Sequence, residues 1–127
     1  MSIYIDSNVV ISVLSGDSKS GKAMMLLEGS ESNKVDLVCS VIMFGEVLYG
    51  GQAMEAKEFL LRAPIDYVDV NKNIMLRVAE MRLGHKKLKV PDAIHLATAL
   101  FMGCSELISD DAVLRKIASK YINCREL

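Results

Sequence analysis

Nowhere in the 127 residues does an apolar run approach the roughly 18 residues needed to cross a bilayer, so a membrane-spanning chain is excluded from the reading. The opening Met1-Ser2-Ile3-Tyr4-Ile5-Asp6 also lacks the positive charge and long apolar stretch of a secretory leader, and the expected location is the cytoplasm. Cysteine is scarce. Cys39, Cys104 and Cys124 form an odd set with no C-x-x-C spacing, which argues against a disulfide framework and against a zinc site. Buried free thiols are expected instead. A basic excess is missing too, since the net charge is −1, whereas a dedicated duplex-DNA binder usually carries an obvious positive surplus. A nucleic-acid substrate would therefore have to be held by a local basic patch and by metal ions. Neither Pro64 nor the stretch from Gly84 to Pro91 resembles a domain linker, and repeats and low-complexity segments are absent. The length fits the common single-domain size of roughly 100–150 residues, so residues 1–127 are read as one domain.

What the chain does contain is alternation. Ile3-Tyr4-Ile5, Val35 to Cys39, Tyr67-Val68-Asp69-Val70, Leu107-Ile108 and Tyr121-Ile122 are five brief strand candidates rich in β-branched, aromatic and other apolar residues. Helical periodicity runs between them, as in Lys22 to Glu28, Ser40 to Tyr49, Ala53 to Leu61, Asn71 to Leu83 and Asp92 to Met102. Strands alternating with helices imply βαβ crossovers, and the expected fold is an α/β three-layer α/β/α sandwich with a mostly parallel five-stranded sheet. The segment Pro91 to Leu100 is the most distinctive helix. Pro91 suits a first turn, where a missing N–H costs nothing, and nearly every following residue is small or apolar, so the helix should be buried on most sides.

Four acidic positions stand out against that apolar background. Asp6 follows the first strand directly, and Asp110-Asp111 follow Leu107-Ile108-Ser109 at the end of another. Asp92 opens the buried helix, and Glu46 has Ile42 and Met43 on its own helical face. Each has an ordinary explanation as a turn, cap, dipole or ion-pair residue. Their combination is harder to explain that way. Ligands of open α/β sheets sit in the crevice outside the carboxyl ends of the strands, where these acids should point. Four carboxylates in one partly buried crevice repel one another by several kcal/mol unless a hard divalent cation, most commonly Mg²⁺, neutralises them.

These residues resemble the PIN domain, a family of small metal-dependent ribonucleases that includes the toxins of VapBC toxin–antitoxin pairs. Ile5-Asp6-Ser7-Asn8-Val9-Val10-Ile11 is similar to the family's opening D-[TS]-N motif. Ser40 through Glu46-Val47-Leu48-Tyr49-Gly50 is similar to its S…E-L…G segment. Pro91-Asp92-Ala93-Ile94-His95-Leu96-Ala97-Thr98-Ala99 matches its D-[AI]…A-A helix, and Leu107-Ile108-Ser109-Asp110-Asp111-Ala112-Val113-Leu114 its last motif. That last match departs from the family in having Ser109 for the commoner Thr and Leu114 for the commoner Phe. The resemblance implies that Asp6, Glu46, Asp92 and Asp111 are the catalytic, metal-binding acids. Motif spacing favours Asp111 for the fourth role, with Asp110 as the alternative beside it. Asn8 and Ser109 would be supporting polar residues.

The activity implied is endonucleolytic cleavage of single-stranded RNA with Mg²⁺ or Mn²⁺, leaving a 3′-hydroxyl and a 5′-phosphate. On this reading Asp6, Glu46 and Asp92 hold one ion, and Asp111 helps hold that ion or a second and orients the attacking water. Lys86, Lys87 and Lys89 lie just before Asp92 and are candidates to guide the RNA backbone, against the plain reading of a solvated lysine-rich loop. His95, one turn beyond Asp92, is read as a packed core histidine. The resemblance also implies an antitoxin partner and a homodimer. The competing readings are a catalytically silent binding module of the same fold and a housekeeping RNA-processing nuclease. Gly16 to Lys22 fits G-x-x-x-x-G-K, but Ala23 stands where a phosphate-binding loop needs Ser or Thr, so this is read as a chance match.

Overall fold

The computed structural model describes residues 1–48 and 53–127, and five strands alternate with helices along them. The strands are β1 (Ser2–Ile5), β2 (Asp36–Ser40), β3 (Ile65–Val68), β4 (Glu106–Ile108) and β5 (Asn123–Arg125). They form one sheet in the order β3-β2-β1-β4-β5, and every neighbouring pair is parallel. The expected α/β sandwich is the one observed, with the sheet parallel throughout.

Seven helices connect the strands among the described residues: α1 (Ser7–Ser15), α2 (Ser20–Asn33), α3 (Ile42–Val47), α4 (Ala53–Arg62), α5 (Lys72–Gly84), α6 (Val90–Phe101) and α7 (Ala112–Ala118). Two of them, α1 and α7, lie outside the segments singled out by periodicity. In α1 the run Asn8-Val9-Val10-Ile11 has poor helix propensity, but Val9 and Val10 are fully buried, and tertiary packing overrides propensity. The last strand sits later than Tyr121-Ile122, because the N–H groups of both residues bond back to the Ala118 carbonyl and prolong the turn after α7. Of the helix expected over Ser40 to Tyr49, Ile42–Val47 is helical; Tyr49 and Gly50 lie outside the described residues.

The core runs through the sheet. Tyr4, Ile5, Leu107 and Ile108 are fully buried on the paired strands β1 and β4. Burying such side chains contributes about 1.5–3 kcal/mol each. Helix α6 buries Ala93 to Ala99 without interruption, as its composition predicts. The cysteines are all free; Cys39 and Cys104 are buried and Cys124 is half-buried.

Strand order places the crevice in which sheets of this kind bind ligands. The chain steps from β1 outward to β2 and β3, then returns to add β4 and β5 on the other side of β1. The carboxyl ends of β1 and β4 therefore flank the point where the winding reverses, where α/β sheets bind ligands. By contrast, the Gly16 to Lys22 segment joins helix α1 to helix α2. Gly16 ends α1 in the left-handed conformation (φ 66°), which glycine adopts without penalty. A phosphate-binding loop needs a strand before it, and here there is none.

Candidate functional site

Asp6 is the first residue past β1, and its backbone N–H still bonds to the Ile108 carbonyl of β4 at 3.0 Å. Its carboxylate caps α1 by accepting from the Ser7 N–H at 2.7 Å. The other oxygen accepts from the Ser109 hydroxyl at 2.7 Å and from the Asn8 amide at 3.2 Å. Asn8 and Ser109, expected from the sequence as supporting polar residues, thus both donate to Asp6. A carboxylate held by three donors is fixed in direction, and it is only 6% exposed.

Glu46, on α3, reaches the same place from the other side. The Ser7 hydroxyl donates to its Oε1 at 2.6 Å, and so does His95 Nε2 at 2.7 Å. The same imidazole nitrogen lies 3.4 Å from Asp6 Oδ1, so one buried ring bridges the two acids. Its opposite nitrogen, Nδ1, pairs with the Tyr4 hydroxyl at 2.5 Å, and that hydroxyl in turn accepts from the Ser40 N–H at 2.9 Å. His95 is completely buried, but it is more than core filler. Burial pulls the ring toward neutrality, yet the Cys39 sulfur and the Glu46 carboxylate outweigh it, with the Asp6 charge adding to them, and the pKa is pushed up to about 10. Glu46 is held below the usual carboxylate value: its partial burial pulls the other way but is overcome by the bonds from His95 and Ser7.

Asp92 stands in the first turn of α6, half-buried. Burial pushes its carboxyl upward, and the charges of Asp111, Asp6 and Glu46 push it further. Asp92 therefore feels the charges of the other three acids. Asp111 is the cap of α7, its Oδ1 accepting from the N–H groups of Val113 at 2.9 Å and Leu114 at 3.2 Å. The adjacent acid is occupied elsewhere. Asp110 Oδ1 pairs with Lys19 Nζ at 3.1 Å and accepts from the Leu127 N–H at 3.1 Å. Of the two neighbours, Asp111 is the one whose charge bears on Asp92.

Lys86, Lys87 and Lys89 are exposed between α5 and α6, and Lys89 caps α6 without a side-chain bond. Sequence reasoning missed Ser7 and Tyr4 as site residues. Ser7 carried a signal, its place inside the D-S-N motif; Tyr4 read only as a strand residue.

The donor set around this crevice is made of hard oxygen ligands under mutual repulsion, which suits a divalent cation. Among the described residues, no three His, Cys, Asp or Glu side chains are gathered tightly enough to enclose one. Mg²⁺ does not demand that, since it usually retains several waters and binds through one or two carboxylates. The donors fit such a partly hydrated ion.

A family model described as the PIN domain matches residues 3–120. No curated protein matches the chain. Among solved structures, a chain of VapBC2 from Rickettsia felis, bound to a promoter DNA fragment, is 12% identical with a TM-score of 0.75, covering 99% of this chain and 98% of that one. A chain of VapBC-1 from nontypeable Haemophilus influenzae is 18% identical with a TM-score of 0.72, at 99% and 98% coverage. A chain of a toxin–antitoxin complex from Klebsiella pneumoniae is 25% identical with a TM-score of 0.71, at 97% and 95% coverage.

Proposed function

Because the chain belongs to the PIN domain family, we propose that it is a metal-dependent endoribonuclease acting on single-stranded RNA, the toxin of a VapBC-type pair. The observation that carries this reading is the convergence of Asp6 and Glu46 on the buried His95 ring at the carboxyl end of β1, with Asp92 feeling the charges of both and of Asp111. No packing role requires four acids in one field, whereas holding a divalent ion for phosphodiester hydrolysis accounts for them. The toxin assignment draws its support from the VapBC structures that share the fold over nearly the whole chain.

In this reading Mg²⁺ or Mn²⁺ would sit among Asp6, Glu46 and Asp92, bound directly by one or two of them and through its waters by the rest, with Asp111 beside them. A bound ion would supply an activated water and charge neutralisation for the scissile phosphate. The chain's own part is orientation. Ser109 and Asn8 fix Asp6, Ser7 and His95 fix Glu46, and Tyr4 anchors the far side of His95. An antitoxin partner and a homodimer belong to the same reading. The groove between α5 and α6, where Leu76, Leu100 and Phe101 sit beside Asn73, Arg77 and Glu80, offers a mixed surface for a second copy.

The test is cleavage of a labelled mixed-sequence single-stranded RNA with Mg²⁺, Mn²⁺ or EDTA, comparing wild type with Asp6→Asn and Asp92→Asn. Metal-dependent cutting that both folded variants lose is expected. Absence of cutting together with absence of Mn²⁺ binding by calorimetry would sink the enzyme reading. Sedimentation showing only monomer at micromolar concentration would remove the homodimer from it.

A further inference from the structure

Outside the acid cluster, lysines gather where the loop after α5 faces α7. A groove of about 290 Å³ separates the loop after α5 from this helix, and four lysines line it: Lys86 and Lys87 on the loop, Lys116 and Lys120 opposite. No acid lines it, and its floor is apolar, formed by Val113 and Ile117. Among the described residues the Lys–carboxylate and Arg–carboxylate pairs use Lys19, Arg115 and Arg125, and the four groove lysines enter none of them. At one end His85 Nε2 and the Tyr121 hydroxyl lie 2.9 Å apart, with the two rings edge to face.

Both walls of the groove lead to the acids. Lys87 lies five residues before Asp92, and Val113 lies two residues after Asp111, whose side chain caps α7. A chain with a net charge of −1 cannot attract a polyanion by its overall field, so any affinity must come from a local concentration such as this one. Chemistry then distinguishes the occupant. An acidic peptide would use the lysines alone. A single-stranded nucleic acid would also use the apolar floor and the ring edge, on which sugars and bases pack.

We infer that this groove holds the phosphate backbone of the RNA flanking the cleaved bond, with Lys116 and Lys120 as its strand-binding residues. The inference rests on the nuclease reading above, but it makes a separate demand on the molecule. The lysines pair with successive phosphates beyond the scissile one, while Val113 and Ile117 meet the ribose or base faces.

The test is fluorescence anisotropy of a labelled mixed-sequence single-stranded RNA in EDTA, titrated across salt, with wild type and the Lys116→Gln/Lys120→Gln double variant. Both lysines are exposed, so an unchanged melting temperature is expected. Each lost phosphate contact removes ~0.7 from the slope of log affinity against log salt for single strands, so the double variant should be shallower by about 1.4 and roughly tenfold weaker at low salt. Mn²⁺ binding without RNA should stay at the wild-type value. Equal affinity and slope for the two proteins would overturn the inference, as would a wild type that binds Mn²⁺ but no RNA. Lysine-dependent binding of polyglutamate, with RNA binding unaffected, would also overturn it. A wild type that binds RNA through these lysines but binds no Mn²⁺ would support the groove and sink the nuclease.

Discussion

His95 gives the sharpest quantitative test, because its environment in the metal-free protein is charged and fully buried. The imidazole touches Glu46 at 2.7 Å and lies 3.4 Å from Asp6, and its pKa is pushed up from 6.5 to about 10. That rise corresponds to on the order of 5 kcal/mol of preference for the charged ring in the folded state. Since the folded value lies above the unfolded one, the stabilisation is complete below about 6.5 and is lost as pH rises through about 10. Between these limits the native state holds one more proton than the unfolded chain, so stability should fall by about 1.4 kcal/mol per pH unit. From pH 7 to pH 9 the loss is about 3 kcal/mol, a large part of the 5–15 kcal/mol typical of a domain. Urea unfolding in EDTA at several values across that window measures it. His95→Gln keeps a donor for Glu46 but cannot titrate, and its stability should be nearly flat over the same range. Parallel slopes for the two proteins would refute the reasoning, since the proton would then belong to some other group.

Two substitution sets separate the polar residues by role. Asn caps helices as well as Asp, so Asp111→Asn should leave the melting temperature near wild type while abolishing metal-dependent cleavage. Asp110→Asn removes a solvent-screened pair with Lys19 and should keep stability and activity; the reverse pattern in the cleavage assay would transfer the fourth role to Asp110. Ser109→Ala takes the 2.7 Å donor from Asp6 and leaves the Asp111 N–H without the acceptor it has at 3.1 Å. A loss of about 2–3 kcal/mol is expected in urea. Mn²⁺ affinity by calorimetry should fall about tenfold or more, and unchanged values in both measurements would show that Ser109 supports nothing.

The parts of this molecule legible in the sequence are those written in local pattern. Helix α6 is apolar almost throughout and starts at a proline, and strands β1 and β4 are short apolar runs stopped by Asp6 and Ser109. Helix α1 is not written that way, because Val9 and Val10 favour strands and turn helical only to bury themselves in the core. The strand order was also beyond local reading. Nothing in the sequence of β4 says that it pairs with β1 across a hundred residues, yet this pairing is what puts Ser109 against Asp6. The partners of His95 are equally remote. Tyr4 lies 91 positions away and Glu46 lies 49, so a histidine in an apolar helix read as packing.

Asp6 shows why the plain and the functional readings of a residue need not compete. As the cap of α1 it accepts from the Ser7 N–H, which satisfies a helix end and fixes the carboxylate at the crevice. Asp111 does the same for α7 through Val113 and Leu114. A helix end supplies N–H groups that hold a carboxylate in place, and each of these caps sits at the carboxyl end of a central strand. The fixed direction a ligand-holding acid requires is thus built from the same bonds that start the helices. Among the described residues Asp92 has no such backbone donor, and its carboxyl is pushed upward first by burial and then by the charges of Asp111, Asp6 and Glu46. That residue should therefore gain most from a cation, and its replacement by Asn should relieve the apo protein even as it removes the activity.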